Sequence, residues 1–250
     1  MKWTVVDDYD ALSREAAAIL LDAIGTSPDL VLGLPTGRTP EGMYREVVRA
    51  CHGRYHCFRD VTTFNLDEYA GIPPSHSGSY CSYMKRNLLD HVDLQPSRVH
   101  IPDGTAAAVL AGNPELSLEH ALAEECERYE RAIAATAGLG LTILGLGSNG
   151  HIAFNEPGSP FDSRTRVVHL AEETLRANAE EFPGERVPER AITMGIATIL
   201  ASRSILILAS GEAKREATRR LARERPSPDF PASALRMHAD VTVLVDRAAS

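Results

Sequence analysis

Four short segments of this chain hold residues whose types and spacing suit proton transfer on an anionic substrate. The first is FNLDEYAG (64–71), where adjacent carboxylates Asp67 and Glu68 follow the end of an apolar run. Such a pair is not expected to point into the core together, and an Asp shielded from water at a strand end makes a proton-transfer base. The alternative is a solvated acidic turn. The second segment is GLGSNGHIAFNEP (145–157), in which glycines bracket Ser148 and Asn149, with His151, Asn155 and Glu156 close behind. A carboxylate such as Glu156 can select the tautomer of the imidazole of His151. A structural histidine is the competing reading.

The other two segments suit the anion itself. In LPTGRTP (34–40), Gly37 lets backbone approach a ligand, Thr36 and Thr39 offer hydroxyls, Arg38 adds a cation, and a helix begins near Pro40. Amides at a helix start form a phosphate cradle, although an ordinary strand-to-helix turn uses the same residues. In SGEAKREATRRL (210–221), Lys214 falls in the first turn of a helix. A cation is disfavoured there unless an anion lies between it and the helix amides; the alternative is an exposed lysine.

These segments need a scaffold that brings them together. Short apolar runs WTVV (3–6), LVLGLP (30–35), VTTFNL (61–66), LTILGLG (141–147), SILILAS (204–210) and VTVLVD (241–246) alternate with helical patterns. Runs apolar throughout suit strands buried on both faces, which predicts an α/β fold. The expected architecture is a single doubly wound, mostly parallel, Rossmann-like sheet with helices on both faces, spanning residues 1–250 as one domain. Ligands of such sheets gather at the carboxyl ends of strands, and all four segments follow one. The polar, proline-containing stretch around 171–190 predicts a mobile flap within 158–190 rather than a domain linker.

Composition narrows the function. With 26 basic and 34 acidic residues the formal net charge is -8, which gives no general support for nucleic-acid binding. No apolar run reaches membrane-spanning length and the N-terminus lacks a leader pattern, so a cytoplasmic, membrane-free protein is expected. Cys51, Cys57, Cys81 and Cys126 form no CxxC pair and have no histidine at zinc spacing; reduced thiols and no metal site are expected. The GxGxxG string at 145–150 leads into a polar His/Asn/Glu cluster instead of a helix followed by a distant acidic residue, so no dinucleotide cofactor is expected.

Taken together, LPTGRTP, TFNLDEY, GHIAFNEP, SRTR (163–166), AITMG (191–195) and SGEAK resemble the glucosamine-6-phosphate deaminase family in order and spacing, from about residue 30 to 246. Tyr69 after Asp67-Glu68, and GHIAFNEP itself, set the chain apart from the related 6-phosphogluconolactonases. The resemblance implies that His151 opens the sugar ring, Glu156 tunes it, Asp67 carries a proton from C2 to C1, and the phosphate lies against residues 36–39 and Lys214. It implies an amino-sugar phosphate as the small-molecule partner and no organic cofactor or metal; the oligomeric state stays open.

Three positions depart from the family pattern. Asn149 stands where many members carry an Asp of the ring-opening relay, predicting altered tuning rather than lost activity. Leu175 separates Thr174 from Arg176, the flap arginine assigned to the phosphate. Val168 replaces a lysine used for allosteric activation by N-acetylglucosamine 6-phosphate, which speaks against that activation and its hexamer. Alternative readings are a deaminase of another amino-sugar phosphate such as galactosamine 6-phosphate, a 6-phosphogluconolactonase, or a sugar-phosphate-binding regulator, the last lacking a basic recognition helix.

Overall fold

A computed structural model describes residues 1–52, 57–113, 115–136 and 138–250. In chain order the elements are β1 (Lys2–Val6), α1 (Tyr9–Thr26), β2 (Val31–Leu34), α2 (Arg38–Cys51), β3 (Thr62–Asn65), β4 (Asp67–Tyr69), α3 (Tyr80–Asn87), β5 (Val99–His100), α4 (Ala107–Gly112), α5 (Leu118–Ala135), β6 (Leu141–Gly145), β7 (Arg166–His169), α6 (Glu172–Ala177), β8 (Arg190–Thr193), α7 (Ile196–Leu200), β9 (Ser204–Ala209), α8 (Arg215–Arg223) and β10 (Val241–Asp246). The main sheet runs β1-β10-β9-β6-β2-β3-β5, parallel at every pairing. Strand order reverses between β2 and β6, and a crevice opens at such a point beyond the strands' carboxyl ends.

The parallel sheet buries both faces, as the continuous apolar runs require. One face packs Leu12, Leu20, Met43, Tyr44 and Val47 of α1 and α2 against Leu32, Leu34, Ile143 and Leu206. The other packs Tyr129, Ile133, Ile199 and Leu221 against Phe64, Leu144, Ile205, Ile207 and Val243. Gly42 permits close contact between α1 and α2, because a Cβ there would lie 2.1 Å from Ser13 Oγ.

The sequence reading did not anticipate a second, three-stranded antiparallel sheet ordered β4-β8-β7. It corrects the expectation for the two carboxylates: Asp67 and Glu68 belong to strand β4, and both are buried. The pleat explains how, since successive strand residues face opposite sides. Asp67 faces the crevice. Glu68 points the other way and accepts the N–H groups of Tyr69 (2.9 Å), Tyr80 (2.9 Å) and Cys81 (2.8 Å), so it is satisfied at the start of α3.

The segment at 158–190 contains β7, α6 and a short 3-10 turn, Ala179–Glu181. It is fastened by Phe182, whose ring packs edge-on against Tyr69 at 5.2 Å and stacks on His76 at 5.5 Å. His76 also reaches Glu185 at 3.1 Å.

The expectation of four reduced cysteines is corrected at one pair. Cys51 ends α2, Cys57 lies 5.8 Å away between Cα atoms, and the two are disulfide-bonded. That separation lies within the range a disulfide spans. Cys81 and Cys126 are free thiols. No helix of the described residues is long and apolar enough to cross a membrane.

Candidate active site

A cleft of about 430 Å³ opens at the switch point and is lined by Thr36, Gly37, Arg38, Thr39, Asp67, Asn149, His151 and Lys214. Its walls therefore come from the loops after β2, β3, β6 and β9, the four segments singled out in the sequence. Glu156 sits behind His151 rather than on the cleft surface. Arg176 stands on the exposed side of α6, paired with Glu172 at 2.5 Å, outside the residues that line the cleft. The buried face of α6 explains this, for Thr174, two residues earlier, points inward and Arg176 faces solvent.

The anion-facing wall begins with α2. The long helices α1 and α5 have side-chain caps, from Asp8 to the Ala11 N–H at 2.8 Å and from Ser117 to the His120 N–H at 3.3 Å. Helix α2 starts instead from Gly37, at φ +95° and with no side-chain cap. Its first amides are left for a ligand, and the helix dipole favours a negative one. Lys214 completes this wall. It makes no ion pair with a carboxylate among the described residues, and burial, followed by the Arg38 charge, lowers its pKa. A half-buried cation without a protein counter-ion suits an anionic ligand. The loop carrying it is held by Asp246, whose carboxylate accepts the Ser210 hydroxyl at 2.5 Å and the Gly211 N–H at 3.1 Å.

Asp67 stands at the base of the cleft with Oδ1 buried and without a hydrogen-bond partner. Burial, and secondarily the charge of Glu68, push its carboxyl well above the ordinary carboxylate range. Burial also raises Glu68, to about 7, although three amides favour its ionised form. The pair divides the work: Glu68 is fully engaged in structure, and Asp67 is free for chemistry.

The third component is built on glycines. A Cβ at Gly147 would meet Cγ, Cδ2 and Nδ1 of His151 at 2.5 Å, and one at Gly150, where φ is +89°, would meet the Phe230 ring at 2.0 Å. The glycine run thus makes room for an imidazole and an aromatic ring. The loop is pinned from behind, by the Phe154 N–H to Thr193 Oγ1 at 3.0 Å and by Asn155 to the Met194 carbonyl at 2.9 Å. Arg166 of the SRTR string holds Asn155 in turn, donating to its Oδ1 at 2.8 Å.

Within this loop Glu156 Oε2 lies 3.6 Å from His151 Nδ1, slightly beyond hydrogen-bond length, and His151 Nδ1 has no closer partner. Asn149 does not touch the imidazole: its amide donates to Glu156 Oε2 at 2.8 Å, and its carbonyl accepts the His151 backbone N–H at 3.0 Å. The Thr174 hydroxyl donates to the other Glu156 oxygen. Burial works against the ionised form, but His151, Thr174 and Asn149 outweigh it and hold Glu156 down at about 2. A fixed carboxylate beside an imidazole whose ring faces the cleft can orient it and stabilise its protonated form. Sequence reasoning missed the contact from Thr174, because nothing in a polar flap marks which hydroxyl folds inward.

A buried carboxyl, an imidazole beside a carboxylate and a wall of free helix amides with a lysine meet at the switch point of a parallel sheet, a cleft suited to acid–base chemistry on an anionic ligand. The chain belongs to the family of glucosamine-6-phosphate isomerases and 6-phosphogluconolactonases, whose model matches residues 7–244. It is 48% identical over 243 residues to the glucosamine-6-phosphate deaminase of Bacillus velezensis, covering 97% of this chain and 95% of that one. It is 47% identical to glucosamine-6-phosphate deaminase 1 of Bacillus subtilis, covering 100% and 98%. Among solved structures, a monomeric glucosamine-6-phosphate deaminase superposes with a TM-score of 0.91 at 47% identity, covering 100% of this chain and 98% of that one. A 6-phosphogluconolactonase from Trypanosoma brucei shares the fold, with a TM-score of 0.74 at 20% identity and coverage of 99% and 97%.

Proposed function

We propose that this chain is a glucosamine-6-phosphate deaminase, converting glucosamine 6-phosphate and water to fructose 6-phosphate and ammonia. The observation that carries the mechanism is the unpartnered Oδ1 of buried Asp67, in the same cleft as His151 and the anion-binding wall. The full-length similarity to named deaminases supports the substrate.

The substrate phosphate lies against the amides of residues 36–39 and the Lys214 ammonium, which places the sugar toward Asp67 and His151. His151, backed by Glu156, takes the proton of the C1 hydroxyl and delivers one to the ring oxygen, giving the open-chain aldehyde. Asp67 removes the C2 proton while the C2 ammonium gives up one proton to the C1 carbonyl oxygen, forming an enolamine with a C1 hydroxyl, and Asp67 then returns its proton at C1. The resulting C2 iminium adds water and expels ammonia, leaving the ketose. These steps are general acid–base catalysis within reach of the side chains present. Asp67 must be ionised to begin. An ammonium at C2 beside it favours the carboxylate by charge attraction, so the substrate readies its own base. Asn149 acts through Glu156 in this scheme, the segment at 158–190 acts as a flap over the cleft, and the location is cytoplasmic.

The test is ammonia release from purified protein with glucosamine 6-phosphate, alongside galactosamine 6-phosphate and 6-phosphogluconolactone. Equimolar ammonia and fructose 6-phosphate from the first substrate is expected. Ammonia only from the galacto epimer, or hydrolysis of the lactone alone, would replace the assignment with that activity.

A further inference from the structure

The loop that forms the phosphate cradle is held from behind by three phenols, one from each of α1, α2 and α3. Tyr44 donates its hydroxyl to the carbonyl of Pro35 at 2.6 Å, and Tyr83 donates to the carbonyl of Gly37 at 2.7 Å. Tyr9 donates to the carbonyl of Arg38 at 2.9 Å, with that of Thr39 at 3.2 Å, and accepts the Gly42 N–H at 2.8 Å. The Tyr9 hydroxyl therefore bridges Arg38 and Gly42, the carbonyl and amide that an α-helix joins directly in its first turn.

Peptide planarity turns these contacts into a statement about the cleft. In a trans peptide the carbonyl and the following N–H point in opposite directions. Fixing the carbonyls of Pro35, Gly37 and Arg38 outward fixes the N–H groups of Thr36, Arg38 and Thr39 inward, toward the cleft these residues line. Gly37 at φ +95° supplies the backbone turn, but a glycine alone leaves the peptide planes free to rotate. The phenols remove that freedom. Tyr44 is fully buried and Tyr83 nearly so. Burial raises the pKa of both, which keeps them protonated as donors.

We propose that Tyr9, Tyr44 and Tyr83 are positioning residues that pre-orient the amides of the cradle for a phosphate monoester. The proposal rests on the deaminase reading only through the phosphate; it concerns how this chain holds that group. Pre-orientation lowers the ordering cost of binding, so its loss appears in affinity more than in turnover.

The experiment is calorimetric titration of the full chain with inorganic phosphate, and KM and kcat for glucosamine 6-phosphate, in wild type, Tyr9→Phe, Tyr83→Phe and the double variant. Phenylalanine keeps the packing and removes only the hydroxyl, and two separate sites guard against one variant failing to fold. Each single variant is expected to weaken phosphate about fivefold and the pair about twenty-fivefold, as for one ordinary hydrogen bond donated to a cradle carbonyl by each phenol. KM should rise in parallel, with kcat changing less than about threefold. Phosphate affinity and KM equal to wild type, with only the melting temperature lowered, would overturn the proposal and leave the phenols a packing role. Wild type that takes up no phosphate, or takes it up undiminished by Lys214→Ala, would overturn the cradle itself; that failure is read without the tyrosine variants.

Discussion

The hydroxyl of Thr174 donates to Oε1 of Glu156, which ties helix α6 of the polar segment directly to the carboxylate beside His151. The opposite oxygen of Glu156 receives Asn149. The setting of the Glu156 carboxylate therefore depends on the seating of that segment. Thr174→Val removes the donor while keeping the shape. The expected loss in kcat/KM is about tenfold or more, as for a hydrogen bond to a charged group. Thr174→Ser should restore most of it in steady-state ammonia assays.

Asp67 and Glu68 set the pH dependence. Burial and the Glu68 charge raise the Asp67 pKa, so the ascending limb of kcat/KM is expected above the ordinary aspartate range of about 4. Glu68→Gln removes the nearby charge and should move that limb toward acid. A pH–rate profile of the two proteins checks the sign. Asp67→Asn should lower kcat by about 10²–10⁴ while inorganic phosphate still binds.

Two cations separate by position. Lys214 lines the cleft with no carboxylate partner among the described residues, whereas Arg176 pairs with Glu172 on the surface. Lys214→Ala is expected to raise KM by about tenfold or more, the scale of a hydrogen bond to a charged group. Arg176→Ala should leave KM within about twofold, since exposed pairs contribute little.

Gly147 is the space in which the His151 ring sits, with 2.5 Å to a Cβ placed there. Gly147→Ala should displace the imidazole and lower kcat about 10²-fold, the scale of an ångström misplacement. Circular dichroism should remain that of wild type, because the change faces the cleft and leaves the sheet intact.

Acid stability has a defined sign at Glu156. Its folded pKa of about 2 lies below the usual 4.5, so its contribution is complete above about 4.5 and is lost as pH falls toward 2. Glu156→Gln should flatten that part of the acid unfolding curve measured by fluorescence.

Much of the site was legible in the sequence. Segments that follow apolar strands carry Thr36 to Thr39, Asp67, His151 and Lys214, and a parallel sheet collects such segments at one edge whatever else the chain does. Continuous apolar runs settled the sheet for the same kind of reason: local pattern and burial on two faces agree. Tertiary structure decided the rest, because it depends on which distant groups meet. A three-residue strand with two carboxylates does not look like a strand until β8 pairs with it and α3 offers its amides to Glu68. The inward face of α6 selected Thr174 over Arg176. Proximity in the fold joined Cys51 to Cys57, and three helices brought Tyr9, Tyr44 and Tyr83 to the back of one loop. Residue type and local spacing determined what chemistry this chain could attempt; packing between segments far apart in sequence decided which side chains are free to perform it.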